Sequence, residues 1–363
     1  MTQLRLIADD LTGALDTAAQ FVAPKCAIPV FLNGRLPASL PESFAIDGAT
    51  REKDGVSAAA AASRHASILF PRPGAIAFKK MDSLLRGHCG LELAAILRAL
   101  PATRCMIAPA FPFHGRVTRA GLQYELRDGL WHRVGEDLRA KLESEGIAVR
   151  LARAGGPVPE GASLWDAETD DDLRSIADAG RSLSAPVLWC GSGGLAAALA
   201  DGNAPAAGNP ARPILGLFGS DHPSTAMQLR ACGRHVLRLS DGGGENAALV
   251  SSRLGAAGAC LVAFDLPAGM ARPAASGHIA REIARLVQGI PPPGSLLVSG
   301  GETLGALCHS LRAGHLDVVG QVMPGVPVSI MRGGHWDLVR VISKSGAFGH
   351  DRLLLGLLGL DAA

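Results

Sequence analysis

Short apolar runs alternating with segments of helical period constrain this chain more than any other feature. Runs at 4–8, 27–32, 75–79, 104–108 and 186–190 read as buried strands. Segments 55–69, 90–99, 134–144, 169–183 and 193–201 read as helices between most of them. A parallel strand buried on both faces is apolar throughout and needs a crossover, usually helical, to reach its neighbour. The alternation therefore predicts an α/β fold with a largely parallel sheet. It stops at Asp201-Gly-Asn-Ala-Pro-Ala-Ala-Gly-Asn-Pro-Ala-Arg-Pro213, a stretch without hydrophobic periodicity that reads as a linker. It then restarts, with strands at 214–218, 259–264 and 294–298 and helices at 223–232, 245–257, 273–288 and 302–312. Runs 326–331 and 337–342 flank Arg332-Gly-Gly-His335 and predict a closing hairpin. Two α/β domains are expected, over 1–206 and 207–363.

Composition narrows the function. A length of 363 residues suits two domains. At 48% hydrophobic and 19% charged, the chain can fill two cores and is not disordered. A net charge of +2 gives no electrostatic footprint for nucleic acid or an anionic membrane. Aromatics at 4% offer few stacking platforms for single strands. The seven cysteines are odd in number and scattered, without C-x-x-C, as expected of reduced thiols in a cytoplasmic protein. Asp9 and Asp10 interrupt any apolar leader, and the run 353–360 is far shorter than the roughly 20 residues that span a bilayer. Glycine is abundant, with 45 residues. Glycine gathers where backbone approaches a ligand or turns sharply.

Many of those glycines lie among polar residues just after apolar runs, where open α/β sheets bind ligands. Asp9-Asp10-Leu-Thr12-Gly13 follows the first run; its paired acids can orient a hydroxyl, take its proton or hold a cation, and they equally suit a helix cap. Lys80-Met-Asp82-Ser83-Leu-Leu-Arg86-Gly87 brings a cation for phosphate, a candidate base and an arginine able to clamp a carboxylate. It can also be an exposed loop with a surface ion pair. Pro109-Ala-Phe-Pro112 leads to His114-Gly115-Arg116, either backbone and guanidinium facing an anion or an irregular surface loop. Gly191-Ser192-Gly193-Gly194-Leu195-Ala196 fits G-x-G-x-x-A, but the acidic residue expected about 20 positions on is misplaced. A tightly packed strand-to-helix turn explains it as well. Gly219-Ser220, Gly300-Gly301-Glu302-Thr303 and Lys344-Ser345-Gly346 each follow an apolar run and offer amides and hydroxyls to phosphate.

There is no P-loop, H-E-x-x-H, G-x-S-x-G or protein-kinase motif set. The histidines show no spacing for a protein-held transition metal.

Taken in order, these motifs resemble the four-carbon acid sugar kinase family. The resemblance rests on Asp9-Asp10-Leu-Thr12-Gly13-Ala14, Lys80-x-Asp82-Ser83-x-Leu85-Arg86-Gly87, Pro109-Ala-Phe-Pro with Gly115-Arg116, and Gly191-Ser192-x-Gly194-Leu195-Ala196. It continues through Gly219-Ser220 with Thr225 and Gln228, Gly300-Gly301-Glu302-Thr303, Pro324-Gly325-Val326-Pro327 and Lys344-Ser345-Gly346-x-Phe348-Gly349. It implies an N-terminal sugar-acid domain, a C-terminal ATP domain, and phosphoryl transfer to a hydroxyl of threonate, erythronate or 3-oxo-tetronate, with Mg²⁺ delivered on the nucleotide. Asp10, Lys80, Asp82 and Arg86 are then expected in catalysis, and Asp9, Arg51, Ser83, Gly115 and Arg116 around the acid. Ser220, Gly300, Gly301, Glu302, Thr303 and Gly346 are expected around ATP. Asp82 or Asp10 would accept the proton, and Arg86 or Arg116 would grip the carboxylate. The chain departs from the family in being several tens of residues shorter, with Leu84 where Thr is usual and Ala347 where Gly is usual. An NAD-dependent dehydrogenase using Gly191–Ala196, or a non-catalytic binder of sugar acids or nucleotides, are the alternative readings. A homodimer is expected on general grounds.

Overall fold

The computed structural model describes residues 3–69, 73–100, 104–200, 204–219, 222–266 and 270–360. The chain divides into two compact units, one of Met1–Val22 and Ile28–Ala204, the other of Ala23–Ala27 and Pro205–Ala363.

The first unit opens with β1 (Gln3–Ala8), α1 (Leu11–Gln20), β2 (Ile28–Phe31), β3 (Phe44–Asp47), α2 (Gly55–His65), β4 (Ala75–Lys80), α3 (Cys89–Ala99) and β5 (Cys105–Ala108). An antiparallel excursion follows, β6 (Arg116–Arg119), β7 (Leu122–Arg127) and β8 (Leu130–Arg133). The unit closes with α4 (Leu138–Ser144), β9 (Val149–Arg153), β10 (Ala162–Asp166), α5 (Asp170–Arg181), β11 (Leu188–Gly191) and α6 (Gly193–Leu199). Its main sheet runs β2-β3-β1-β4-β11-β5-β10-β9, with these neighbours parallel. The strand order reverses around β1, which has β3 on one side and β4 on the other. That is a topological switch point, where the crossovers leave opposite ways and a crevice opens beyond the strand ends. Helices α1, α5 and α6 pack together, as do α2, α3 and α4. Such grouping follows from a sheet that must cover both apolar faces. The apolar core runs through Phe44, Ile46, Leu93, Ile96, Ile107 and Leu188. One charged pair lies in it: Lys79 Nζ of β4 meets Glu92 Oε2 of α3 at 2.6 Å, both buried. Burial opposes the charge of Lys79, but Glu92 outweighs it and raises the amine above its ordinary range.

The second unit carries β12 (Ile214–Phe218), α7 (Pro223–Cys232), β13 (Val236–Leu239), α8 (Gly244–Ala257), β14 (Ala259–Phe264) and α9 (Arg272–Gln288). It ends with β15 (Ser295–Ser299), α10 (Gly301–Ser310), β16 (His315–Met323), β17 (Val326–Arg332), β18 (Arg340–Lys344) and α11 (Leu353–Leu358). Its strands run β13-β14-β12-β15-β18-β17-β16, parallel as far as β18 and antiparallel beyond.

The α/β class and the mostly parallel sheet match the sequence expectation. The terminal antiparallel pair is there, as β17 and β18, but 337–339 belongs to the connection and the second strand begins at Arg340. The tighter hairpin lies one strand earlier, β16 to β17 across Pro324-Gly325. Among the described residues no helix is long and apolar enough to cross a membrane.

Candidate functional site

The carboxyl ends of β3, β1 and β4 bring a charged cluster to the switch point. Asp9 follows β1 directly. Asp10 caps α1, its Oδ1 accepting the Gly13 amide at 3.0 Å and its Oδ2 the Thr12 hydroxyl at 2.6 Å. Arg51, on the loop after β3, joins the cluster together. Its Nε and Nη2 donate to the two oxygens of Asp9 at 2.7 and 2.9 Å. Its Nη1 lies 2.7 Å from Asp10 Oδ2, and its Nη2 lies 3.7 Å from Asp82 Oδ1.

Burial raises the cost of charge on Asp9, but Arg51 outweighs it and holds the carboxyl below its ordinary range. Asp82 obeys the same balance: burial opposes its charge, and Arg86 and Arg51 pull it far below the ordinary range. Arg86 closes on Asp82 in a fork, Nε at 2.8 Å and Nη2 at 2.7 Å. The amides of Leu84 and Arg86 donate to the same carboxylate. The turn at 82–86 is thus folded around Asp82.

Lys80 is buried, and its Nζ donates to Met81 O at 3.0 Å. A Cβ built on Gly13 would sit 3.1 Å from that Nζ, which places the amine against the start of α1. Ser83 accepts from Arg116 Nη1 at 3.2 Å. Arg116 Nη2 lies 3.5 Å from Glu125 Oε1 on β7. Burial lowers the Arg116 guanidinium below its ordinary range, while the charges of Asp82 and Glu125 work against that fall. Gln123 braces this side, its Nε2 donating to Ser83 O at 2.8 Å. Gly115 makes the turn that admits β6 and so delivers Arg116; its carbonyl accepts the Leu126 amide.

Asp47, the last residue of β3, escaped the sequence reading. It is buried, and burial pushes its carboxyl up to about 7, with the Ala49 amide at 2.9 Å working against that rise and the charge of Asp10 adding to it. An acid ending a four-residue strand just before Gly48 was the available signal.

In the second unit, β12, β15 and β18 are adjacent, so the loops after them share one edge of the sheet. Gly219, Gly300, Gly301 and Gly346 all lie there. Ser220 lies outside the described residues. Thr303 is buried against Gly219, where an added Cβ would fall 2.2 Å from its Oγ1. Glu302 accepts from Ser276 Oγ on α9. Gly346 O accepts from Thr225 Oγ1 at 2.9 Å. Thr225 Oγ1 also lies 3.0 Å from Ser299 Oγ. Among the described residues no group of three or more His, Cys, Asp or Glu side chains is arranged to hold a metal ion.

The Gly191 turn has a packing role. A Cβ on Gly191 would lie 2.4 Å from Ala108 O, and one on Gly194 2.9 Å from Ala110 O. Backbone of β5 and of the loop after it lies against these glycines, so a side chain at either position would clash with it.

Two family models match the chain. One, for a sugar-binding N-terminal domain, covers residues 4–133. The other, for a nucleotide-binding C-terminal domain, covers 244–354. The chain is 31% identical over 405 residues to a D-threonate kinase of Cupriavidus necator, covering 96% of this chain and 95% of that one. It is 29% identical to a 3-oxo-tetronate kinase of Methylobacterium radiotolerans, covering 95% and 96%. A crystal structure of a Salmonella typhimurium LT2 protein shares the fold, with a TM-score of 0.73, 20% identity, and coverage of 100% of this chain and 99% of that one.

Proposed function

Because this chain belongs to the four-carbon acid sugar kinase family, we propose that it moves the γ-phosphoryl group of ATP onto a hydroxyl of a four-carbon sugar acid, the first unit holding the acid and the second the nucleotide. The observation that carries the assignment is the pairing of chemistry with place. A cluster of acids, arginines and a lysine sits at the switch point of the unit matched as sugar-binding. A set of amides and hydroxyls sits at one strand edge of the unit matched as nucleotide-binding.

Asp10 serves as the proton acceptor. Its side chain is 17% exposed, against 4% for Asp9 and 8% for Asp82, so it is the acid of this cluster that a sugar hydroxyl can best approach. Asp82 is more buried, and Arg86 and Arg51 hold its carboxyl far below the ordinary range, which makes it the poorer proton acceptor; it holds its loop instead. Arg86 is closed on Asp82, and Arg116, with Ser83 beside it, is the guanidinium proposed to grip the substrate carboxylate. In the transfer, the hydroxyl oxygen bonds to the γ-phosphorus, the bond to the β–γ bridging oxygen breaks, and the hydroxyl proton passes to Asp10. Lys80 supplies positive charge near the reacting oxygens.

Apart from the Glu302 carboxylate, which is engaged by Ser276, the polar groups on the nucleotide side are amides, hydroxyls and an amine. They suit phosphate oxygens and not a divalent cation, so Mg²⁺ is proposed to enter on the triphosphate, where it neutralises charge.

A coupled ADP-release assay over threonate, erythronate and 3-oxo-tetronate with Mg·ATP tests the reading. ADP release that depends on one of these acids is expected. Stabilisation by both ligands without turnover would make the protein a binder instead, and stabilisation by NAD alone would overturn the kinase reading.

Gly219→Ala tests the nucleotide side. The added methyl forces β12 and α10 apart at Thr303, an overpacking of about 1–3 kcal/mol. The KM for ATP is expected to rise about tenfold, with the KM for the acid unchanged. Equal changes in both would detach this edge from the nucleotide.

A further inference from the structure

Lys344 is the only lysine between residues 205 and 363. It ends β18, is buried, and has no ion-pair partner among the described residues. Its Nζ donates to Thr225 Oγ1 at 3.2 Å, Ser345 O at 3.1 Å and Gly346 O at 3.2 Å. One turn along α7 from Thr225, Gln228 Nε2 faces three further carbonyls, Phe348 O at 3.2 Å, Gly349 O at 3.0 Å and His350 O at 3.1 Å. Two side chains thereby turn five carbonyls of the 345–350 loop inward.

A trans peptide is planar, so its carbonyl and the following N–H point opposite ways. With Ser345 O and Gly346 O turned toward Lys344, the Gly346 and Ala347 amides face away from it. Among the described residues neither amide has an acceptor. Consecutive outward amides backed by an ammonium make an anion-binding concavity.

We propose that Lys344 is the positioning residue of the nucleotide site, orienting the Gly346 and Ala347 amides toward a nucleotide phosphate and supplying the positive charge behind them. This rests on the assignment of the second unit to ATP. Lys344 acts through the loop and is not a catalytic residue.

A pH signature follows. Burial lowers the Lys344 amine to about 7. The elements around it present Thr225 and Gln228 of α7, Ser299 of β15, Phe218 of β12, Val326 of β17, and Leu354 and Leu357 of α11, none of them titratable. Asp221 lies outside the described residues. An arriving phosphate favours the charged amine. Above pH 7 nucleotide binding should therefore take up a proton, and affinity for ATP should fall as pH rises.

The experiment uses the full chain with Lys344→Met and Lys344→Arg, checking each fold by unliganded melting temperature. The KM for Mg·ATP and for the acid is measured from about pH 6 to 9. Lys344→Met is expected to raise the KM for ATP about tenfold or more, as loss of a charge-assisted contact does, and to leave the KM for the acid alone. The wild-type KM for ATP should climb above pH 7, and the climb should vanish in Lys344→Arg, whose charge does not titrate. An unchanged KM in Lys344→Met, or a climb retained in Lys344→Arg, overturns the role of Lys344. If Lys344→Met does not fold, the comparison of wild type with Lys344→Arg decides. If Mg·ATP neither stabilises the wild type nor yields ADP, the ATP assignment fails, and this inference with it.

Discussion

Asp10→Asn should lower kcat by about 10²–10⁴-fold, the usual contribution of a positioned general base. This substitution separates chemistry from folding. Asp10 is the N-cap of α1, accepting the Gly13 amide, and Asn caps a helix about as well as Asp. The side-chain oxygen that accepts the cap bond is retained. What disappears is the negative charge and the ability to take a proton. The cap is kept but the pair with Arg51 loses its charge, so the melting temperature should fall less than in Arg51→Met, which strips all three acids of their partner; ATP should still stabilise the variant, while single-turnover phosphoryl transfer collapses. Turnover within about threefold of wild type would remove Asp10 from the proton-transfer step. Asp47 would then be the next acid to test, since its carboxyl already titrates near neutrality.

Arg51→Met carries the largest expected cost in stability, about 3–5 kcal/mol, because removing one partner leaves buried charge uncompensated. Arg51 reaches three carboxylates, gripping both oxygens of Asp9 and lying near Asp10 and Asp82. Its own charge is secured by them: burial opposes it, and the three acids together raise it well above the ordinary arginine range.

The pH dependence follows from the signs. Asp9 and Asp82 are held below their ordinary range in the folded protein. Their stabilisation is complete above the unfolded value of about 3.9 and is lost as pH falls through the folded values. Without Arg51, burial dominates at Asp9, its folded value rises, and acid relieves the strain instead. The gap between wild type and variant should be widest near neutral pH and narrow below about pH 4–5. Urea midpoints measured at both ends of that range decide it, and a variant as stable as wild type at neutral pH would show that Arg51 does not hold the cluster.

The sequence revealed the strand ends but not who meets whom across them. Buried parallel strands such as 104–108 and 214–218 are continuous apolar runs, and their loops follow from that. Arg51 and Asp9 are 42 positions apart, and their pairing depends on β3 lying beside β1, an order that periodicity does not encode. Asp47 went unseen because β3, Phe44-Ala-Ile-Asp47, has only three apolar residues before its acid, too short a run to stand out. The excursion β6–β8 was missed because β8 is exposed throughout and β7 partly so, leaving no apolar signal. The strand β16 was missed because its pairing with β17 shifts register near Gly320. The Gly191 turn shows the opposite limit. Its glycines fit a cofactor fingerprint, and only the backbone of Ala108 and Ala110 reveals that they make room for a neighbouring strand.

The position of β11 has a consequence for how the chain is made. It is the last strand of its unit to be synthesised, yet it lies at the centre of the sheet, between β4 and β5. Once Asp166 is made and until β11 follows, the nascent chain has the strands of two half-sheets, β2-β3-β1-β4 and β5-β10-β9, whose β4 and β5 edges await β11. Such edges are templates for wrong pairing. A chain ending between Asp166 and Leu188 is therefore expected to aggregate more readily than one that includes β11.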